Sequence, residues 1–131
     1  MIQIPPQLQR IEFKFILTEK NGKRPIEKKW NTVNNYHFFE TKLLNHQGNY
    51  GVVCGYGNLI VLDFDDKGYF WFQAKSGLPE SFTVQTASKR GFHVYYILKG
   101  EMFKKVGLDD ALGKRIVDVQ GEGACVIGPS S

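Results

Sequence analysis

The residues best suited to chemistry stand at the end of an apolar run, in the stretch Asp63-Phe64-Asp65. The four residues before it, 59–62, read Leu-Ile-Val-Leu, and a short apolar run of this kind predicts a buried central strand. Because side chains alternate across a strand, Asp63 and Asp65 are expected on one face and Phe64 on the other. Two close carboxylates repel unless a positive group lies between them, and a divalent cation is the natural candidate. The alternative is that both acids merely end the strand in a loop.

A third carboxylate, Asp118, lies between Val117 and Val119, where strand propensity disfavours an acid. Its presence there would be explained if it faced Asp63 and Asp65, because two-metal phosphoryl-transfer sites commonly use such clusters. The three acids together therefore predict a site for divalent metal ions.

A basic turn supplies the other candidate groups, namely Ser88, Lys89, Arg90 and His93. A turn with a hydroxyl, two cations and free backbone N–H groups suits the phosphates of a nucleoside triphosphate. For His93 two interpretations remain open, since a lone histidine on a strand is often a core residue. Directly after two cations, it could instead donate to a phosphate oxygen.

The composition is that of a globular protein with a mild preference for polyanions. The 131 residues are enough for one domain with a real core, and the formal net charge is +4. The aromatic share of 14% supplies core volume and surfaces on which bases could stack. Lysine and arginine cluster at residues 20–29, 89–90, 99–105 and 114–115.

No apolar stretch approaches the roughly 20 residues of a membrane span, and the polar start of the chain lacks a signal-peptide core. Cys54 and Cys125 both lie in apolar, strand-like runs and form no C-x-x-C pair. We therefore expect two buried, reduced thiols in a cytoplasmic protein.

The order of elements predicts an α+β domain spanning residues 1–131, with a mixed or mostly antiparallel sheet and a few short helices. The glycine-rich residues 55–58 predict a hairpin-like turn into the central strand, and Trp30 is expected to be buried as the pin of a basic loop. Residues 116–127 are expected to end the chain with a pair of strands around Gly121 and Gly123. The expected strands cover residues 13–17, 49–54, 82–86, 92–98, 116–119 and 124–127, and the expected helices cover residues 41–46 and 69–75.

Taken in order, these fragments resemble the bifunctional DNA primase/polymerase N-terminal domain of the archaeo-eukaryotic primase superfamily, particularly its archaeal and archaeal-plasmid forms. A single fragment would indicate the family only weakly, but the ordered series is specific for it. The series covers the chain from about Phe13 onward. The series is KRP at 23–25 followed by Trp30, NYGVVCGYG at 49–57, DFD at 63–65, LPESFTVQT at 78–86, GFHVYY at 91–96, DVQGEG at 118–123 and GPSS at 128–131.

The resemblance implies a prim-pol catalytic core related to the RNA-recognition fold, preceded by a small α/β unit. It implies a nucleotidyltransferase that adds dNTPs or NTPs on a single-stranded DNA template or primer and releases pyrophosphate. The family's acids that bind Mg²⁺ or Mn²⁺ match Asp63, Asp65 and Asp118, and its Ser-x-His-type motif, which contacts the nucleotide's phosphates, matches Ser88 and His93. Lys89 and Arg90 would be further phosphate clamps, and a helicase domain or protein is a possible partner.

Two departures from the family pattern are visible. The turn before His93 is longer and poorer in glycine than the usual Ser-Gly-Gly-x-His, which leaves the role of Ser88 open. The chain also stops at Ser131, where family members usually continue, so a fragment, a minimal form and a remnant that binds without catalysing are all open.

Three other classes of protein share some of these features. A haloacid-dehalogenase-type phosphatase also has an apolar strand ending in Asp-x-Asp, but Lys67 stands where that class has Thr or Val. An EF-hand fails because Ala74 replaces the bidentate glutamate. The main alternative is a single-stranded nucleic-acid-binding module that uses aromatics such as Tyr95 and Tyr96. Such a binder has no reason to place three acids near a polyanion.

Overall fold

The computed structural model describes residues 1–65, 77–86 and 90–130, which form two antiparallel sheets with little helix. This confirms the predicted α+β class. The only α-helix in these ranges is α1 (Thr41–Leu44), and 3₁₀ turns cover Pro6–Leu8 and Tyr56–Asn58. The described strands are β1 (Lys14–Thr18), β2 (Asn49–Val53), β3 (Leu59–Phe64), β4 (Thr83–Gln85), β5 (Phe92–Ile97), β6 (Val106–Asp109), β7 (Arg115–Gln120) and β8 (Cys125–Ile127).

The larger sheet has five strands in the order β4-β5-β3-β7-β6, so β3 is its central strand, as the apolar run predicted. Along β3, Leu59 and Val61 are buried on the face that Asp63 shares. Phe64 is buried on the opposite face, where it clusters with Val94 and Val117. The central strand is therefore apolar on both faces until Asp63, which is the first acid on the Leu59–Val61 side.

The smaller sheet has the order β1-β2-β8 and packs against the Leu59–Val61 face of the larger sheet. Phe15, Tyr50 and Val52 from the smaller sheet share one core cluster with Val61 and Tyr95 from the larger. β8 follows the last strand of the larger sheet in the chain, so the smaller sheet combines two early strands, β1 and β2, with a late one.

Two expected strand pairings are wrong. The turn at residues 55–58 does not close a hairpin, because β2 and β3 belong to different sheets. β2 uses its two edges for β1 and β8, and β3 uses its edges for β5 and β7, so neither has a free edge for the other. Gly55 and Gly57 adopt positive φ angles of 101° and 63°, which suits a crossing between sheets. β7 and β8 are likewise separated, one in each sheet.

Most other element predictions agree with the structure to within one or two residues. The helix expected over residues 41–46 is shorter, and β6 was not predicted. The helix expected over residues 69–75 lies outside the described residues. None of the helices in the described part of the chain has the length and hydropathy required to cross a bilayer.

Two burial predictions need correction. Trp30 is only partly buried, so the expectation that a buried Trp30 anchors the basic loop in the core is wrong. Cys54 is buried as expected, and burial raises its pKa to about 12, whereas Cys125 is partly exposed. Both thiols are free.

Candidate active site

Three of the predicted site residues form a row across the larger sheet. Asp63 on β3 is paired in register with His93 on β5 and, at its other edge, with Asp118 on β7. Directly opposite residues of antiparallel strands point to the same face, with Cβ atoms about 4.5–5.5 Å apart. The pairing therefore brings together side chains that are 30 and 55 positions from Asp63 in the sequence.

The row faces a cavity of about 570 Å³ at the edge of the core between the two sheets. Leu59 and Val61 fill the same face of β3 further along, so the cavity begins where the apolar residues of that face give way to Asp63. Asp65 also lines the cavity, as its two-residue spacing from Asp63 predicted. The smaller sheet closes the opposite side with residues of β2 and β8, and residues 21–23 of the loop after β1 complete it.

His93 is buried, with 7% of its surface exposed, and contacts an acid. Its Nε2 atom lies 3.3 Å from Asp63 Oδ1. Carboxylates directly opposite each other destabilise a sheet, and a histidine on the other edge of Asp63 can offset that repulsion by donating a hydrogen bond. His93 is therefore neither a purely apolar core residue nor isolated from the acids.

Asp118 forms an ion pair with Arg115. Its Oδ1 accepts a hydrogen bond from Arg115 Nη1, while Arg115 Nε donates to Asp109 Oδ1 at 2.6 Å. Gly107 is opposite Asp118 on β6, and a Cβ atom there would lie 2.2 Å from Arg115 Nη1. The missing side chain at Gly107 therefore leaves the space in which the guanidinium reaches Asp118. The two hydrogen bonds raise the pKa of Arg115.

Gly91 sets how closely β5 approaches the end of β3. A Cβ atom on Gly91 would lie 1.8 Å from the Phe64 carbonyl oxygen and 3.0 Å from Asp65 Cα. Only glycine fits that approach, because the obstacle is backbone. The start of β5 is thus held directly against the Asp63-Phe64-Asp65 segment.

The family model for the bifunctional DNA primase/polymerase N-terminal domain, Prim-Pol, matches residues 7–131. The chain belongs to this family. The resemblance seen in the ordered sequence fragments is therefore confirmed, and the chain is assigned to a family of primase/polymerase-type nucleotidyltransferases that act on DNA and nucleotides. No curated protein matches the chain.

The structure of this Prim-Pol domain brings together four of the predicted site residues at one cavity: Asp63, Asp65, His93 and Asp118. Arg90 is exposed and is not among the residues that line it. Ser88 and Lys89 lie outside the described residues. The three acids and the histidine thus line one cavity. Of the basic turn, the structure describes Arg90 but not Ser88 or Lys89.

Several residues of the cavity were not singled out from the sequence. Lys23 and Lys105 bring positive charge, and Gln120, which is 7% exposed, lies two residues from Asp118 on the same face of β7. Both lysines belong to basic clusters that were visible in the sequence, and that clustering was the available signal. Nothing in the local sequence separates these two from their neighbouring lysines.

The donor set fits a hard divalent cation in kind, because Mg²⁺ and Mn²⁺ prefer carboxylate oxygens. As the side chains stand, no three acids, histidines or cysteines in the described ranges are close enough to hold a metal. Asp63 contacts His93, and Asp118 shares one oxygen with Arg115. A bound cation would use the remaining carboxylate oxygens or displace these partners.

Proposed function

We propose that this chain is a metal-dependent DNA primase/polymerase whose active site contains the three acids Asp63, Asp65 and Asp118. The observation that carries the proposal is the register pairing of Asp63 with Asp118 at one cavity, with Asp65 on the same lining. A passive nucleic-acid binder gains nothing from these acids, since they repel phosphates. Membership of the Prim-Pol family supports the same interpretation.

In the proposed reaction the 3′-hydroxyl oxygen of a primer or first nucleotide bonds to the α-phosphorus of a nucleoside triphosphate. The bond between that phosphorus and the oxygen bridging to the β-phosphate breaks, pyrophosphate leaves, and the hydroxyl proton passes to solvent. Asp63, Asp65 and Asp118 would hold Mg²⁺ or Mn²⁺. When bound, these ions lower the pKa of the hydroxyl and neutralise the leaving phosphates.

The basic groups around the cavity are proposed to bind the triphosphate. Lys23 is exposed and lines the same cavity as the acids, so its ammonium group is available to phosphate oxygens. Ser88, Lys89 and Arg90 remain proposed phosphate contacts on the strength of the family motif. His93 is proposed to contact the phosphates while also holding Asp63.

Primer extension on a primed single-stranded DNA template, with Mg²⁺ and separately with Mn²⁺, tests the proposal. We expect synthesis that stops on adding EDTA and is lost in Asp63→Ala and in Asp118→Ala, with DNA binding equal or stronger because negative charge is removed. Glu101→Gln is the matched control, since Glu101 is an exposed acid that is not among the residues lining the cavity.

Unchanged synthesis in Asp63→Ala or Asp118→Ala would overturn the assignment of the acids. Absence of synthesis in the unaltered chain, with single-stranded DNA binding retained, would favour the alternative of a catalytically incomplete binding module of a replication protein. Comparing dNTPs with NTPs, and primed with unprimed templates, then defines the substrate and the priming activity. Adding a candidate helicase tests that proposed partner.

A further inference from the structure

A second groove, of about 730 Å³, lies beside the acidic cavity and shares Lys105 and Gln120 with it. Its remaining lining includes Trp30, Lys104 and Glu122. The groove and the acidic cavity are therefore adjacent, and Lys105 and the buried Gln120 line both of them. The Trp30 groove is defined here by these five residues.

The backbone carbonyl groups of Trp30 and of the next residue, Asn31, are held by hydrogen bonds. Asn35 Nδ2 donates to the Trp30 carbonyl oxygen at 2.9 Å, and the Tyr56 hydroxyl donates to the Asn31 carbonyl oxygen at 2.6 Å. The indole itself is only partly buried and makes no ring contact or hydrogen bond within the described ranges. The loop thus presents an aromatic surface at a defined position and leaves that surface unused.

The charges beside the ring suit a phosphate chain. Lys104 and Lys105 are both exposed, and neither forms an ion pair with any described residue. A parallel bridge places Lys104 beside Glu122, and Glu122 N–H donates to the Phe103 carbonyl oxygen at 2.8 Å. Two unpaired cations outweigh the one acid of the groove, so its lining is net positive.

We propose that the Trp30 groove binds the single-stranded DNA template, with one base stacked on the indole and flanking phosphates at Lys104 and Lys105. Stacking on an aromatic ring beside cations is how sequence-independent single-strand sites are built. Continuity with the acidic cavity through Lys105 and Gln120 lets one strand pass from this groove to the reacting groups. This inference rests on the proposed function for its choice of DNA.

Tryptophan fluorescence tests the stacking directly, since the chain has two tryptophans, Trp30 and Trp71. In a Trp71→Phe background, a twelve-residue oligo-dT added with EDTA and without nucleotide should quench the remaining Trp30 emission. Trp30→Ala should weaken oligo-dT binding about tenfold, and Trp30→Phe should recover most of that loss because a ring is retained. Anisotropy of labelled oligo-dT measures the same affinities when Trp71 is left in place.

Charge variants test the path of the strand. Lys104→Gln and Lys105→Gln should each lower the slope of log affinity against log salt by about 0.7, the value for one phosphate contact on a single strand. Glu122→Gln should tighten binding by removing a repulsive charge. Lys99→Gln, an exposed lysine that is not among the residues lining the groove, is the matched control.

Unquenched Trp30 emission together with unchanged oligo-dT affinity in Trp30→Ala would overturn the inference. Quenching by a dNTP but not by oligo-dT would also overturn it and assign the ring to the nucleotide. The measurement needs no catalysis, so its failure is distinct from that of the proposed function. Quenching retained in a chain that does not extend primers would sustain the groove and count against the polymerase.

Discussion

His93 and Asp63 lie directly opposite each other on β5 and β3, with His93 Nε2 3.3 Å from Asp63 Oδ1. The pairing is internal to the larger sheet and is fixed by strand register, so it does not depend on a ligand. His93 therefore positions an acid of the proposed site, in addition to the phosphate contact proposed for it. These two roles predict different effects of mutation.

Replacing His93 separates the two roles. His93→Ala should raise the KM for the nucleotide about tenfold or more if a charge-assisted contact to phosphate is lost. His93→Ala should also weaken Mn²⁺ binding, because Asp63 loses the side chain that positions it. His93→Gln keeps a donor to Asp63 and should restore Mn²⁺ binding without restoring the nucleotide KM. Steady-state kinetics and Mn²⁺ titration read the two effects independently. An unaltered nucleotide KM in His93→Ala would exclude the phosphate role.

Arg115 is expected to compete with a cation for Asp118. Because Arg115 donates to Asp118 Oδ1, Arg115→Ala should make Mn²⁺ bind more tightly, by roughly threefold for a partly screened charge pair. Thermal stability should change little, since Arg115 is exposed and its ion pairs are screened. The matched control is Arg10→Ala, which removes an exposed arginine paired with Glu12. Weaker Mn²⁺ binding in Arg115→Ala would show that Arg115 instead orders Asp118 for the metal.

Gly91→Ala is expected to destabilise the fold and distort the site together. The added methyl group would collide with the Phe64 carbonyl oxygen, and such overpacking costs roughly 1–3 kcal/mol or more in unfolding free energy. Since the displaced backbone carries Asp63 and Asp65, synthesis should also fall. Gly22→Ala is a stability control, because the nearest atoms to its Cβ belong to the exposed Glu19 side chain. Equal melting temperatures for the two variants would contradict the close approach.

Tyr95→Phe is expected to keep or raise stability. The Tyr95 side chain is buried beside Val61, and its hydroxyl finds no hydrogen-bond partner among the described residues. Removing an unsatisfied buried hydroxyl should stabilise the chain by about 1 kcal/mol. Chemical denaturation measures this directly. Binding of single-stranded DNA should be unchanged, because a buried ring cannot stack on a base. Weaker DNA binding in Tyr95→Phe would instead show that Tyr95 contacts the nucleic acid.

Local sequence patterns predicted most of the described strands, although not β6, and they singled out the acids proposed for chemistry. The run at residues 59–62 predicted a central strand because burial on both faces requires apolar residues throughout. Asp118 between two valines was recognisable because an acid in a strand is costly without a partner. Both inferences depend on residues adjacent in the sequence.

Local sequence patterns did not predict which strands pair with each other. The turn at residues 55–58 has the composition of a hairpin, yet β2 and β3 lie in different sheets because each has both edges occupied by other strands. Edge occupancy depends on β8 and β7, which are distant in sequence. Local turn chemistry carries no information about them.

The chain by itself thus determined its α+β class, its family resemblance and the three acids proposed for chemistry, because strand periodicity and residue type are local properties. Only the tertiary structure decided that Asp63 lies between His93 and Asp118, that Arg115 reaches Asp118 over Gly107, and that Trp30 stands partly exposed beside the cavity. Each of these relationships depends on register between strands or on packing between sheets. Register is set by the whole set of strand pairings.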